Sequence, residues 1–170
     1  MRLAALAAML TLTCAGLLAA QDRIDAPPAE RSYSSPSRHF TLTLHGQQAI
    51  FRTGSGKLIW QKILPHQQGP RDALVTNDGH TILADEWINV ASPHAIVLLD
   101  RAGGAIAHFS AEDIFRTLGV QKQVIVSKAS HGVWITDGPT VTLDGKSVIF
   151  HSGGRTLTLH LADGHLSVSD

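Results

Sequence analysis

The sequence predicts an all-β protein of antiparallel meanders, and three observations carry that prediction. Short runs rich in β-branched and aromatic residues recur along residues 39–170. Glycine turns punctuate them, at Gly54-Ser55-Gly56, Asn77-Asp78-Gly79, Ala102-Gly103-Gly104, Gly153-Gly154 and Asp163-Gly164. Only one stretch reads as a helix, residues 111–118.

The N-terminus reads as an address. Arg2 supplies a short positive region, residues 3–18 are an apolar run, and Ala19-Ala20 offer the small residues of a cleavage site. That is the layout of a secretory signal peptide over 1–20, shorter than the about 20 apolar residues of a spanning helix. Lipidation at Cys14 is the rival processing, but Thr13 replaces the small residue expected just before a lipidated cysteine. Cys14 is the single cysteine, so a chain cleaved after Ala20 has no disulfide, catalytic thiol or Cys-ligated metal. Residues 21–38, with Pro27, Pro28 and Pro36 and few large apolar groups, read as a flexible linker, and 39–170 as a single β domain. The expected localisation is exported, periplasmic or extracellular, with no stable membrane insertion after cleavage.

Strands are expected in order at 40–45, 48–52 and 57–64, followed by a polar loop at 65–70. The best-formed unit is 73–109, with two runs meeting at Asn77-Asp78-Gly79, a bulky loop around Trp87, and two more runs meeting at Ala102-Gly103-Gly104. Residues 95–100 are apolar on both parities, as in an interior strand covered on both faces. Residues 81–86 alternate, as in a half-buried one. Ser110 followed by Asp113 forms a capping pair, Ile114, Phe115 and Leu118 make a helical stripe, and Gly119 ends it. Further strands are expected at 123–127, 132–136 and 139–143. In the last stretch two consecutive two-residue turns would pair Phe150 with Leu157, Val148 with Leu159, Leu159 with Val168 and Leu161 with Leu166, all on one face.

These turns repeat. AIFRTGSGKLIWQ returns as IVLLDRAGGAIAHF and LTLHLADGHLSV, and TNDGHTIL as TLDGKSVIF. The pattern resembles blades of secreted β-propellers of the YVTN and quinoprotein-like kind. It implies two and a half to three blade-like units, as a partial propeller or open sandwich. Residues 74–134, with Asp78-Gly79, Asp85, Trp87, IVLLDRAGGAIAHFSAEDI, Ser127, Ser130 and Trp134, resemble a group of uncharacterised bacterial secreted proteins. That resemblance implies export and fold and transfers no activity. A closed propeller generally needs at least four blades, so the open edges are covered, charged, or completed by a second copy in a homodimer.

Basic and acidic residues nearly balance and are scattered, which argues against nucleic acid or anionic lipid as partner. Ten histidines raise the question of metal. His160 and His165 fall on one outward face as diagonal neighbours and are the expected pair, but no HExxH, HxH or HxxxD spacing is present. No G-x-S-x-G elbow occurs, residues 53–57 lack phosphate-loop spacing, and Ser130-His131 with Asp137 would need folding to become a triad. Asp85 and Glu86 alternate across a strand, so they do not form the facing carboxylates of a glycosidase. The expectation is therefore an exported, non-enzymatic binding or structural module of the cell envelope, without a cofactor and with an unassigned envelope partner or ligand. A small secreted hydrolase, metal-dependent through His160 and His165, is the alternative. Contacts are expected on loops 86–94 and 128–138, at Trp87, His94 and Trp134.

Overall fold

The computed structural model describes residues 27–88 and 90–170. The expected signal peptide and residues 21–26 of the expected linker lie outside them. Three four-stranded antiparallel sheets follow one another, each with its strands in chain order. The first holds β1 (Arg31–Ser34), β2 (Phe40–His45), β3 (Gln48–Thr53) and β4 (Leu58–Ile63). The second holds β5 (Pro70–Val75), β6 (Thr81–Glu86), β7 (Ile96–Leu99) and β8 (Ala105–Phe109). The third holds β9 (Asp137–Val141), β10 (Ser147–Ser152), β11 (Arg155–His160) and β12 (Leu166–Ser169). Two short helices, α1 (Ala111–Leu118) and α2 (Lys122–Lys128), connect the second sheet to the third. Among the described residues the three blade-like sheets form no closed barrel.

The middle sheet explains the core. Residues of one parity, Ala73, Val75, Leu83, Val97 and Leu99, pack with Phe40, Leu42, Leu44, Phe51 and Trp60 of the first sheet. Residues of the other parity, Ile82, Ala84, Ile96 and Leu98, pack with α1, α2, Trp134 and the third sheet. Covering both faces makes every residue of β6 and β7 buried. That meets the expectation for β7 and corrects the half-buried reading of 81–86. Alternation along β6 sorts its residues between two cores rather than between core and water.

Other expectations change for packing reasons. Residues 31–34 were expected in the linker but form β1, with Arg31 opposite Leu44 and Ser34 opposite Thr41. Tyr33 packs on the first core, while Ser32 and Ser34 meet Thr43 and Thr41 hydroxyls at 3.3 Å. Residues 123–127 were expected as a strand but lie in α2, which buries Ile125 in the second core. Residues 132–136 form a tight loop, with Ser130 and His131 amides both donating to the Ile135 carbonyl. The expected helix at 111–118 is present, with its full Ser110–Asp113 capping box and Gly119 at φ 63°.

In the final meander Phe150 pairs with Leu157 and Val148 with Leu159, as expected. The next pairing is moved by two residues: Leu157 faces Val168 and Leu159 faces Leu166. The Asp163-Gly164 turn is wider than two residues and closes with the His160 amide donating to the His165 carbonyl at 2.9 Å. A shift of two keeps parity, so the same side chains stay inside.

Candidate functional site

A cleft of about 250 Å³ opens between the second and third sheets, lined by Arg71, Asp72, Trp87, His131, Ile135, Gly138 and Pro139. Both loops expected to make contacts reach it, and they meet there over β5. Arg71 and Asp72 come from the start of β5, just past the polar loop expected at 65–70. Arg31 comes from the expected linker.

Trp87 is fixed as a wall. Its indole N–H donates to the Pro70 carbonyl at 3.2 Å, and the Arg31 and Arg71 guanidiniums lie 5.4 and 5.0 Å from its ring centre. Arg31 also donates from Nη1 to the Arg71 carbonyl at 2.8 Å and to the Tyr33 hydroxyl at 3.3 Å. Arg71 uses Nε on the Glu86 carbonyl at 3.2 Å.

Behind this wall lies Asp85. It is 1% exposed and sits at φ 55°, one of two non-glycine residues with positive φ among the described residues. Its Oδ2 is 3.8 Å from Arg71 Nε, and neither carboxyl oxygen has a hydrogen-bond partner among the described residues. Burial pushes its pKa up to about 6. The Glu86 amide, the Arg71 charge and the Trp134 indole favour the ionised form without overcoming that burial, and the Glu86 charge adds to the rise. Asp72, at the cleft, is also raised, first by burial, while the Ala73 amide, His131 and Arg31 pull it back.

The other end of the Trp87 loop is anchored by histidines. His66 is fully buried and donates from Nε2 to the His94 carbonyl at 3.2 Å, leaving Nδ1 without a partner. Burial lowers its pKa to about 4 despite the Glu86 charge. Glu86 accepts from the Gln67 amide at 2.9 Å and the Ser92 hydroxyl at 2.6 Å. Next to it the His94 and His108 rings stack with centres 4.9 Å apart, and His94 Nδ1 lies 2.8 Å from His108 Nε2. His108 Nε2 also reaches the Pro93 carbonyl at 2.9 Å. Because a carbonyl only accepts, His108 Nε2 carries the proton and His94 Nδ1 is an acceptor. His94 sits at the far end of the loop that carries Trp87 and is not among the cleft-lining residues.

The remaining expected site residues are placed as follows. Trp134 is fully buried and packs on Phe150 with ring centres 5.3 Å apart, so the expected surface contact there is corrected to a core role. His160 and His165 do stack, with centres 5.8 Å apart. Both His160 nitrogens already meet hydroxyls, Ser147 Oγ and Ser167 Oγ, each at 3.2 Å. Among the described residues no group of three or more His, Cys, Asp or Glu side chains is arranged to hold a metal ion. Ser130 Oγ lies 2.8 Å from His131 Nδ1 but donates its proton to the Thr136 carbonyl, so the hydroxyl is spent on the loop. A more open groove of about 540 Å³ runs between Pro36, Asn77 and Leu143. The carboxyls along it are tied locally, Asp78 by Thr76 and Asp144 by Thr142.

No family model matches this chain, and no curated protein sequence matches it. Among solved structures, a protein of Bacteroides fragilis described as exported overlays with a TM-score of 0.44 at 8% identity, over 82% of this chain and 36% of its own. A protein of unknown function from Bacteroides caccae overlays with a TM-score of 0.41 at 12% identity, over 82% of this chain and 44% of its own. This chain therefore spans less than half the length of either. Overlays at this level transfer no activity. No helix among the described residues is long and apolar enough to cross a membrane.

Proposed function

We propose that this protein is an exported, non-enzymatic module that binds a small ligand in the cleft between its second and third sheets. One observation carries the reading: Asp85, buried and held in a left-handed conformation, backs directly onto the cleft residue Arg71, 3.8 Å from its Nε. Backbone strain of this kind costs about 1–3 kcal/mol and persists where surrounding structure enforces it, most often at functional sites. Export rests on the layout of residues 1–20. The three consecutive four-stranded sheets support reading the chain as propeller-like repeats of the YVTN kind.

The hydrolase alternative draws less support, because Ser130 gives its proton to a carbonyl and no facing pair of catalytic carboxyls lines the cleft. Completion of a ring by a second copy draws less as well. The outer face of the first sheet presents the Ser32–Thr43 and Ser34–Thr41 hydroxyl pairs, and that of the third presents Thr156, Thr158 and Ser167. Those faces are largely polar, with Ile63 exposed on the first, and largely polar outer faces are what end units of stacked repeats need in water.

A fragment screen followed by ¹H–¹⁵N NMR tests the cleft. Hits are expected to move the Trp87 indole and Gly138 amide signals, and to lose affinity at least tenfold in Trp87→Ala while the fold persists by circular dichroism. Hits that map only elsewhere would overturn this assignment.

A further inference from the structure

We infer that the ligand of this cleft is a zwitterion, a free α-amino acid, a step that rests on reading the cleft as the binding site. Two residues of opposite charge from the start of β5, Arg71 and Asp72, line the cleft. Arg71 stacks on Trp87 and holds the Glu86 carbonyl and Asp85 through Nε, but among the described residues its two Nη groups have no hydrogen-bond acceptor, leaving an edge that can pair with a carboxylate. Asp72 spends Oδ1 on the Ala73 amide at 2.7 Å. Its Oδ2 stands over Gly138, where an added Cβ would lie 3.9 Å away. Gly138 lines the cleft, so the bare backbone there leaves room for a donor to reach Oδ2.

A ligand of one charge would meet its complement and a like charge together, and the like pair works against binding. A ligand with a carboxylate and an ammonium a few bonds apart meets both complements. Trp87, Ile135 and Pro139 supply an apolar wall for the rest of it. The size agrees: about 250 Å³ falls below the roughly 300–1,000 Å³ of pockets for drug-sized ligands. His131 adds a polar group to the lining.

The test titrates the intact purified protein with L-alanine, L-leucine and L-phenylalanine, each beside its deaminated acid and its decarboxylated amine, and reads ¹H–¹⁵N spectra. At least one amino acid is expected to move the Trp87 indole and Gly138 signals with an affinity tenfold or more above both of its analogues. Asp72→Asn is expected to remove the advantage over the acid and keep the acid's own binding. Arg71→Gln is expected to remove the advantage over the amine. An acid or amine that binds as tightly as its amino acid would overturn the zwitterion and leave the cleft reading standing. No movement with any probe would also overturn it, the cleft itself then being decided by the fragment screen. Movement confined to another surface would count against both.

Discussion

A Cβ on Gly132 would lie 1.6 Å from Oδ2 of Asp85, inside the van der Waals surface of the carboxyl. The loop that forms one wall of the cleft is therefore seated on the strained residue behind it. Gly132 is at φ 62°, so any side chain there meets backbone strain as well. Gly132→Ala is expected to destabilise the fold by about 2–4 kcal/mol in urea denaturation. Asp85→Gly removes the carboxyl and suits the left-handed backbone, so the double variant is expected to recover part of that loss. Strictly additive losses would show that the two residues do not touch.

Buried His66 and buried Asp85 give stability opposite slopes with pH. His66 is a base whose folded pKa is about 4, below its unfolded value of 6.5, so stability is lost as pH falls through that window. Asp85 is an acid whose folded pKa is about 6, above its unfolded value of 3.8, so stability is lost as pH rises through nearly the same window. Each amounts to about 3 kcal/mol at about 1.4 kcal/mol per pKa unit. Compared with wild type, Asp85→Asn is expected to gain stability from pH 4 to pH 7, and His66→Gln from pH 7 to pH 4. Urea midpoints at the two pH values read the sign, and a pH-independent difference would refute either assignment.

The two loop tryptophans should separate cleanly. Trp134→Ala empties the second core beside Phe150 and is expected to cost about 3–5 kcal/mol. Trp87→Ala removes a half-buried wall and is expected to leave the thermal transition cooperative while weakening cleft ligands. Collapse of the Trp87 variant in circular dichroism would make that residue structural.

His160 bears on the metal reading. Its ring nitrogens meet two serine hydroxyls, so a metal ion shared with His165 would have to displace at least one of them. Dialysis against a chelator is expected to leave Tm unchanged. A fall of several degrees, reversed by zinc, would establish a metal site on this face.

Much of the fold was legible because turns and parity are local properties. Gly153-Gly154 closes a two-residue hairpin, and that alone sets Phe150 opposite Leu157. Ser110 and Asp113 cap their helix for reasons contained in four residues. Where local chemistry allowed two answers, packing chose. Residues 123–127 are β-branched enough for a strand, yet Ile125 reaches the second core from a helix. Residues 31–34 lack an apolar stripe but gain a complete partner in β2.

The candidate site divides along the same line. Trp87 and the loops 86–94 and 128–138 stood out in the sequence, because bulky residues beside turns mark exposed loops. The β class, most of the turns and the sorting of strand side chains to one face or the other follow from the two-residue period of a strand and from turn chemistry, so they can be read from residues close together in the chain. That Arg71 and Asp72 share a cleft with His131, that Trp134 is interior, and that Asp85 is buried against Gly132 depends on long-range packing. The residues involved are tens of positions apart, and their meeting depends on how three sheets stack across two cores.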